Sequence, residues 1–94
     1  MKGNPYRKRY IVVESFEPDP DFRGLDYILA KNGNAKRKFT SGRFAVYLTN
    51  QFLRENVTDT INKTQKFRTL VTSGTIRKCK KTIESLMSGN SGPP

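Results

Sequence analysis

The sequence predicts a small α+β domain: a mostly antiparallel sheet of three to four strands with two to three helices packed on one face, the other face or its rim left open. Three observations lead there. The runs Tyr10–Val13 and Phe67–Thr72 are rich in β-branched and aromatic residues and too short for helices, so they read as strands. Ile76, Cys79, Ile83 and Leu86 fall at i, i+3, i+7 and i+10, the stripe of an amphipathic helix. Turn-forming residues punctuate the chain at Pro18 and Pro20, at Asn32-Gly33-Asn34, and at Ser73-Gly74-Thr75. With 94 residues the chain supports a single domain, placed at residues 1–87. It begins with a basic arm (1–9) and is followed by a tail (88–94) that has nothing to bury.

The elements follow in order. Arg7, Lys8 and Arg9 lead into the first strand. Five of the eight acids come next: Glu14, Glu17, Asp19, Asp21 and Asp26. Pro18 and Pro20 keep this stretch out of helix, because proline lacks the amide donor and clashes with the preceding turn. Leu25, Ile28 and Leu29 predict a short helix from Phe22 or Gly24 to Lys31, ended by Gly33 in a left-handed cap. Lys36, Arg37 and Lys38 form a second basic cluster, and Ser41-Gly42 is a break. The stretch 43–62 carries two signals. Phe44, Val46 and Leu48 alternate as in a strand, whereas Leu53, Val57 and Ile61 recur every four residues. A strand from Phe44 to Leu48, an Asn50 cap and a helix from Gln51 to Ile61 accommodate both, with a helix starting at Ser41 as the alternative. Thr75 then caps the last helix, whose stripe directs Arg77, Lys78 and Lys81 outward.

Charge dominates the composition. Eighteen Lys and Arg against eight Asp and Glu give a formal net charge of +10, with 34% hydrophobic residues and no Trp. Such an excess repels itself in a compact fold unless a polyanion screens it, and a phosphate backbone does so while releasing condensed counterions. The expected partners are structured RNA and the neighbouring proteins of a ribonucleoprotein, with no membrane and no small-molecule substrate. The inventory points away from catalysis. There is no histidine, and the one cysteine, Cys79, lies on an apolar stripe, so neither a disulfide nor a metal site nor a cofactor is expected. Asp19 and Asp21 flank a proline with no apolar pocket nearby to shift a pKa, which predicts a solvated loop. No nucleophile–base pair or phosphate-cradling glycine loop is present. No apolar run approaches the length of a membrane span, and YIVV stops at Glu14 without forming a signal-peptide core. A cytoplasmic, ribosome-bound protein is expected, or a nuclear or nucleolar one.

Three basic groups (7–9, 36–43 and 77–81) each lie at the end of a predicted element. Element ends can converge in a folded domain, and convergence of at least two of the groups is expected, which makes Arg7, Lys8, Arg9, Lys36, Arg37, Lys38, Arg43, Arg77, Lys78 and Lys81 candidate phosphate contacts. Ser73, Gly74 and Thr75 add amides and hydroxyls at a helix N-terminus, an arrangement that suits one phosphate. The plainer readings are solvated faces and an ordinary cap. Among the aromatics near cations, Tyr6 and Phe39 have polar neighbours and suit stacking on unpaired bases, while Tyr10, Phe44 and Tyr47 sit in or beside strands, where Tyr10 and Phe44 suit the core. A protein-only adaptor, docking through the acidic loop and the basic helix, is a further alternative.

Two stretches resemble known families. Within SGRFAVYLTNQFLREN, residues Arg43, Phe44, Tyr47, Leu48, Thr49, Phe52, Leu53 and Asn56 are similar to the rRNA-binding region of the eukaryotic ribosomal large-subunit protein family numbered twenty-two. Val46, Asn50, Gln51 and Glu55 stand where that family has lysines. Arg9-Tyr10-Ile11 with Glu14 resembles the first strand of the Pop-five subunit of ribonuclease P. Arg68-Thr69-Leu70, followed by Ser73-Gly74-Thr75-Ile76-Arg77 and Lys80, resembles that family's last strand and its turn into a basic helix. That family's long first helix is largely absent between Asp21 and Lys38. The first resemblance implies an rRNA-binding protein of the large ribosomal subunit. The second implies a non-catalytic subunit of an RNA-based enzyme of tRNA processing. Basic chains of this size are more often ribosomal, which places that reading first and the ribonuclease P reading second.

Overall fold

A computed structural model of the protein describes residues 7–31 and 35–87. The elements run β1 (Lys8–Ser15), α1 (Phe22–Lys31), β2 (Lys36–Ser41), β3 (Phe44–Asn50), α2 (Arg54–Lys63), β4 (Phe67–Ser73) and α3 (Ile76–Met87). The strands form one sheet in the order β2-β3-β1-β4, with every neighbouring pair antiparallel. This is the split β-α-β arrangement extended by α3. It is the small antiparallel α+β class that the sequence predicts.

The central strand explains the layering. Ile11, Val12 and Val13 are all fully buried, and strand alternation sends Ile11 and Val13 to one face and Val12 to the other. In β3, Ala45 and Tyr47 join the first face, and Phe44 and Val46 the second. α1 and α2 cover the first face with Phe22, Leu25, Leu29, Val57 and Ile61. α3 covers the second with Cys79 and Ile83, flanked by Tyr10, Phe39, Leu70 and Ile76. Two helices therefore share one face, as expected, but the opposite face is not left open. The reason lies in β1 and β3, whose apolar runs are continuous because both sides of each strand are buried. Leu86, part of the predicted stripe, is 49% exposed. The last turn of α3 reaches the end of the sheet, where Ser41 Oγ donates to Met87 Sδ at 3.1 Å.

Several boundaries differ from the expectation. β2 carries no strand signal, because Lys36, Arg37 and Lys38 are consecutive cations and Phe39 is its one large apolar residue. It pairs with β3 through a two-residue turn in which Gly42 takes φ 60°, the left-handed backbone that a tight hairpin needs. This hairpin rules out a helix starting at Ser41. β3 runs on to Asn50, and α2 starts at Arg54 instead of Gln51. Asn50 Oδ1 accepts the Leu53 amide at 2.8 Å, so it fastens the 51–53 turn, and Leu53 takes the N-cap position without a side-chain bond. Thr75 does cap α3, its Oγ1 accepting the Lys78 amide at 3.4 Å. The Gly33 cap, the arm before Arg7 and the tail from 88 lie outside the described residues.

Candidate nucleic-acid interface

Antiparallel pairing decides which basic groups meet. β1 and β2 begin at the end of the sheet where β3 and β4 finish. In register, Lys8 lies opposite Asn50, Arg9 opposite Thr49, Tyr10 opposite Ser73, and Lys36 opposite Leu48. α2 and α3 both start from this end, so their N-terminal amides and positive dipole ends lie there too. One end of the domain thus gathers Arg7, Lys8, Arg9, Lys36, Ser73, Gly74, Thr75, Arg77 and Lys78 from separate stretches of sequence. Among the described residues none of these cations makes an ion pair; the pairs that form involve Arg37, Arg43 and Arg68.

Arg9 ties this end together. Its Nη2 donates to Gln51 Oε1 at 3.1 Å, and the Gln51 amide donates to the Arg7 carbonyl at 2.8 Å. Its Nη1 lies 3.0 Å from where a Cβ on Gly74 would stand, so the missing side chain at Gly74 makes room for the guanidinium. Arg9 therefore spans the β3–α2 and β4–α3 turns. Its Nε is buried with no hydrogen-bond partner, so the protein itself satisfies this cation only in part. Beside it, Ser73 Oγ accepts the Thr75 amide at 3.2 Å. A groove follows, lined by Val71, Thr72, Ser73, Gly74, Lys78, Cys79 and Thr82, so its wall is part apolar. Cations, hydroxyls and helix-end amides are groups that bind phosphate oxygens, and of the cations here Arg9 is the one whose side chain is held by the fold.

The remaining candidates lie elsewhere. Arg37 turns toward α1, its Nη2 3.0 Å from Asp26 Oδ2 and its guanidinium 5.8 Å from the Phe22 ring. Lys38 is exposed at the irregularity in the β2–β3 pairing. Lys81 is exposed one turn along α3 from Arg77, near Lys80, whose Nζ stands 5.0 Å over the Phe39 ring. Arg43 is at the opposite end of the sheet, 3.7 Å from Glu14 Oε2, while Arg68 approaches the same carboxylate at 2.7 Å. Antiparallel pairing puts the β2–β3 turn at the end away from the other groups, so Arg43 does not converge with them.

Glu14, Asp21 and Asp26 have structural partners. Asp21 Oδ1 accepts the Gly24 amide at 3.1 Å in the first turn of α1. Asp26 accepts the Tyr47 hydroxyl at 2.6 Å as well as pairing with Arg37. Burial, then that hydrogen bond and the Asp26 charge, push the Tyr47 phenol well above its ordinary range. Among the described residues no group of three or more His, Cys, Asp or Glu is placed to hold a metal. Cys79 is buried, its thiol 3.7 Å from the Tyr10 carbonyl, and burial raises its pKa.

The aromatic candidates are mostly spent on packing. Phe44 and Tyr47 are buried in the two cores, and Tyr10 and Phe39 are half-buried against the α3 side. Tyr6 lies outside the described residues. Phe52, named in the sequence only through a family resemblance and not as a stacking aromatic, is 76% exposed, in the 51–53 turn at the basic end. Its place between Asn50, whose side chain fastens the turn, and Leu53, which faces the core, was the available signal. No protein-family model, curated protein or solved structure matches the chain.

Proposed function

We propose that this protein is a non-catalytic RNA-binding component of a ribonucleoprotein, which lays the basic end of its sheet against the phosphate backbone of a folded RNA. One observation carries the reading: the topology brings cations from the starts of β1, β2 and α3 to a single end, where among the described residues they have no acidic partners. Unneutralised charge held in place by a fold is costly alone and favourable against a polyanion.

Of the two particles that the resemblances imply, the geometry favours a Pop-five-like subunit of ribonuclease P. Arg9-Tyr10-Ile11 belongs to the first strand and Arg68-Thr69-Leu70 to the last, with Ser73-Gly74-Thr75 as the turn into a basic helix, as that resemblance implies. Of the residues matched to the ribosomal family, three are occupied within the fold. Phe44 and Tyr47 are core residues, and Arg43 pairs with Glu14. The ribosomal large-subunit protein remains the second reading. Sequencing the RNA that co-purifies with the native protein separates them. A low-abundance RNA together with cleavage of tRNA precursors supports ribonuclease P, and large-subunit rRNA supports the ribosome. Recovery of protein partners with no RNA at all would replace both with an adaptor.

A further inference from the structure

We propose that Phe52 is a stacking platform for an unpaired base, so that the RNA held at the basic end is single-stranded or looped at that point. The inference rests on the RNA-binding reading above and narrows its ligand. Phe52, at 76%, is the most exposed large apolar side chain among the described residues. Other exposed aromatics already carry a cation over the ring: Lys31 Nζ lies 6.0 Å from Tyr27, and the Arg68 guanidinium 5.9 Å from Phe16. Among the described residues neither a cation nor another ring meets Phe52.

The backbone that carries this ring is fixed on both sides. The Gln51 amide is bonded to the Arg7 carbonyl at 2.8 Å, and the Leu53 amide to Asn50 Oδ1 at 2.8 Å. Leu53 packs against the core, which leaves its neighbour facing water. Because the turn's backbone is already ordered, a partner that covers the ring need restrict only its two side-chain torsions. The position supplies the charge complementarity, because the residue next to Phe52 is the one that binds the Arg9 guanidinium. Proteins that hold unpaired nucleic acid combine a cationic track with aromatic faces on which bases stack. A continuous A-form duplex has no free base face to offer, since its bases are stacked inside the helix.

The test is fluorescence anisotropy with two labelled RNAs that have equal numbers of phosphates, a stem–loop and a fully paired duplex. Phe52→Ala is expected to weaken stem–loop binding about tenfold, the scale of one base–aromatic stack, with duplex affinity and salt slope unchanged. Phe52→Tyr restores stem–loop binding, whereas Phe52→Leu, apolar but without a π-face, does not. Thermal unfolding of the three variants matches wild type, because the ring is almost entirely outside the core. Wild-type stem–loop affinity in Phe52→Ala, or rescue by Leu, overturns stacking while a steep salt slope preserves the RNA-binding reading. Failure of the wild-type protein to bind either RNA overturns both.

Discussion

The two ends of the sheet use charge in opposite ways. At the far end Glu14 holds Arg43 and Arg68, and the acidic loop that follows β1 lies beside them, so charge is balanced within the fold. At the near end Arg7, Lys8, Arg9, Lys36, Arg77 and Lys78 stand together with helix N-termini and, among the described residues, without ion pairs. Both ends belong to the same strands, so the difference is not one of local fold. A cation matched inside the protein serves the structure. Cations gathered at one end and left unmatched are what the proposed polyanion would compensate.

α3 links the two ends, since it starts beside Ser73 and finishes beside Ser41. Truncating its buried anchor tests that link with the largest expected effect. Ile83→Ala should lower stability by roughly 2–5 kcal/mol in urea unfolding, as for other buried aliphatic truncations. A change within error would mean that α3 is not docked on the sheet, and the near end would lose its defining cations.

Tyr47 sharpens the comparison from the middle of the sheet, where charge is balanced by Asp26 and Arg37. Tyr47→Phe removes a hydrogen bond to a charged acceptor and should cost about 1.5–3 kcal/mol, the range for such bonds, leaving Asp26 still paired. The pH dependence has a definite sign. Unfolding frees a phenol that ionises near its ordinary pKa of about 10, whereas the folded protein keeps the proton to higher pH. The unfolded state therefore binds fewer protons in alkali, and stability is intact below that pH and falls as pH rises above it. Equilibrium unfolding followed from neutral to alkaline pH should show a shallower fall in Tyr47→Phe. An identical fall in both proteins would remove Tyr47 as its source.

Arg43 and Arg68 carry the smallest expected effect on the fold. Both side chains are about half exposed, so Arg43→Gln with Arg68→Gln should cost less than about 1 kcal/mol after solvent screening. Unfolding at low and high salt checks this. A difference between wild type and variant that vanishes in high salt is the expected pattern. A large loss that persists in salt would show that the far end depends on more than ion pairing.

Much of this was legible in the sequence, and the remainder has physical causes. The apolar runs of β1 and β4, the helix at Phe22–Lys31 and the stripe through Cys79 and Ile83 all announce themselves by period. β2 does not, because an edge strand made of cations buries too little to show alternation. The continuous apolar run Ile11-Val12-Val13 was a sign of two covered faces, and its burial on both sides is what goes with α3 lying opposite α1 and α2. Convergence of the basic groups was expected from element ends. Only strand pairing could tell that Arg43 belongs to the other end and that Gln51 and Gly74 hold Arg9 between them.

The near end is proposed to meet phosphate and the far end not, and the salt dependence of RNA binding tests this most directly. Wild type, a near-end variant (Arg7→Gln, Lys8→Gln, Lys78→Gln) and the far-end variant (Arg43→Gln, Arg68→Gln) are titrated against one structured RNA over a range of salt. The near-end variant should bind more weakly, with the log–log slope reduced by about 1 for each phosphate that is no longer neutralised. The far-end variant should overlay wild type. Equal slopes for wild type and the near-end variant, or a flatter slope for the far-end variant alone, would contradict the account.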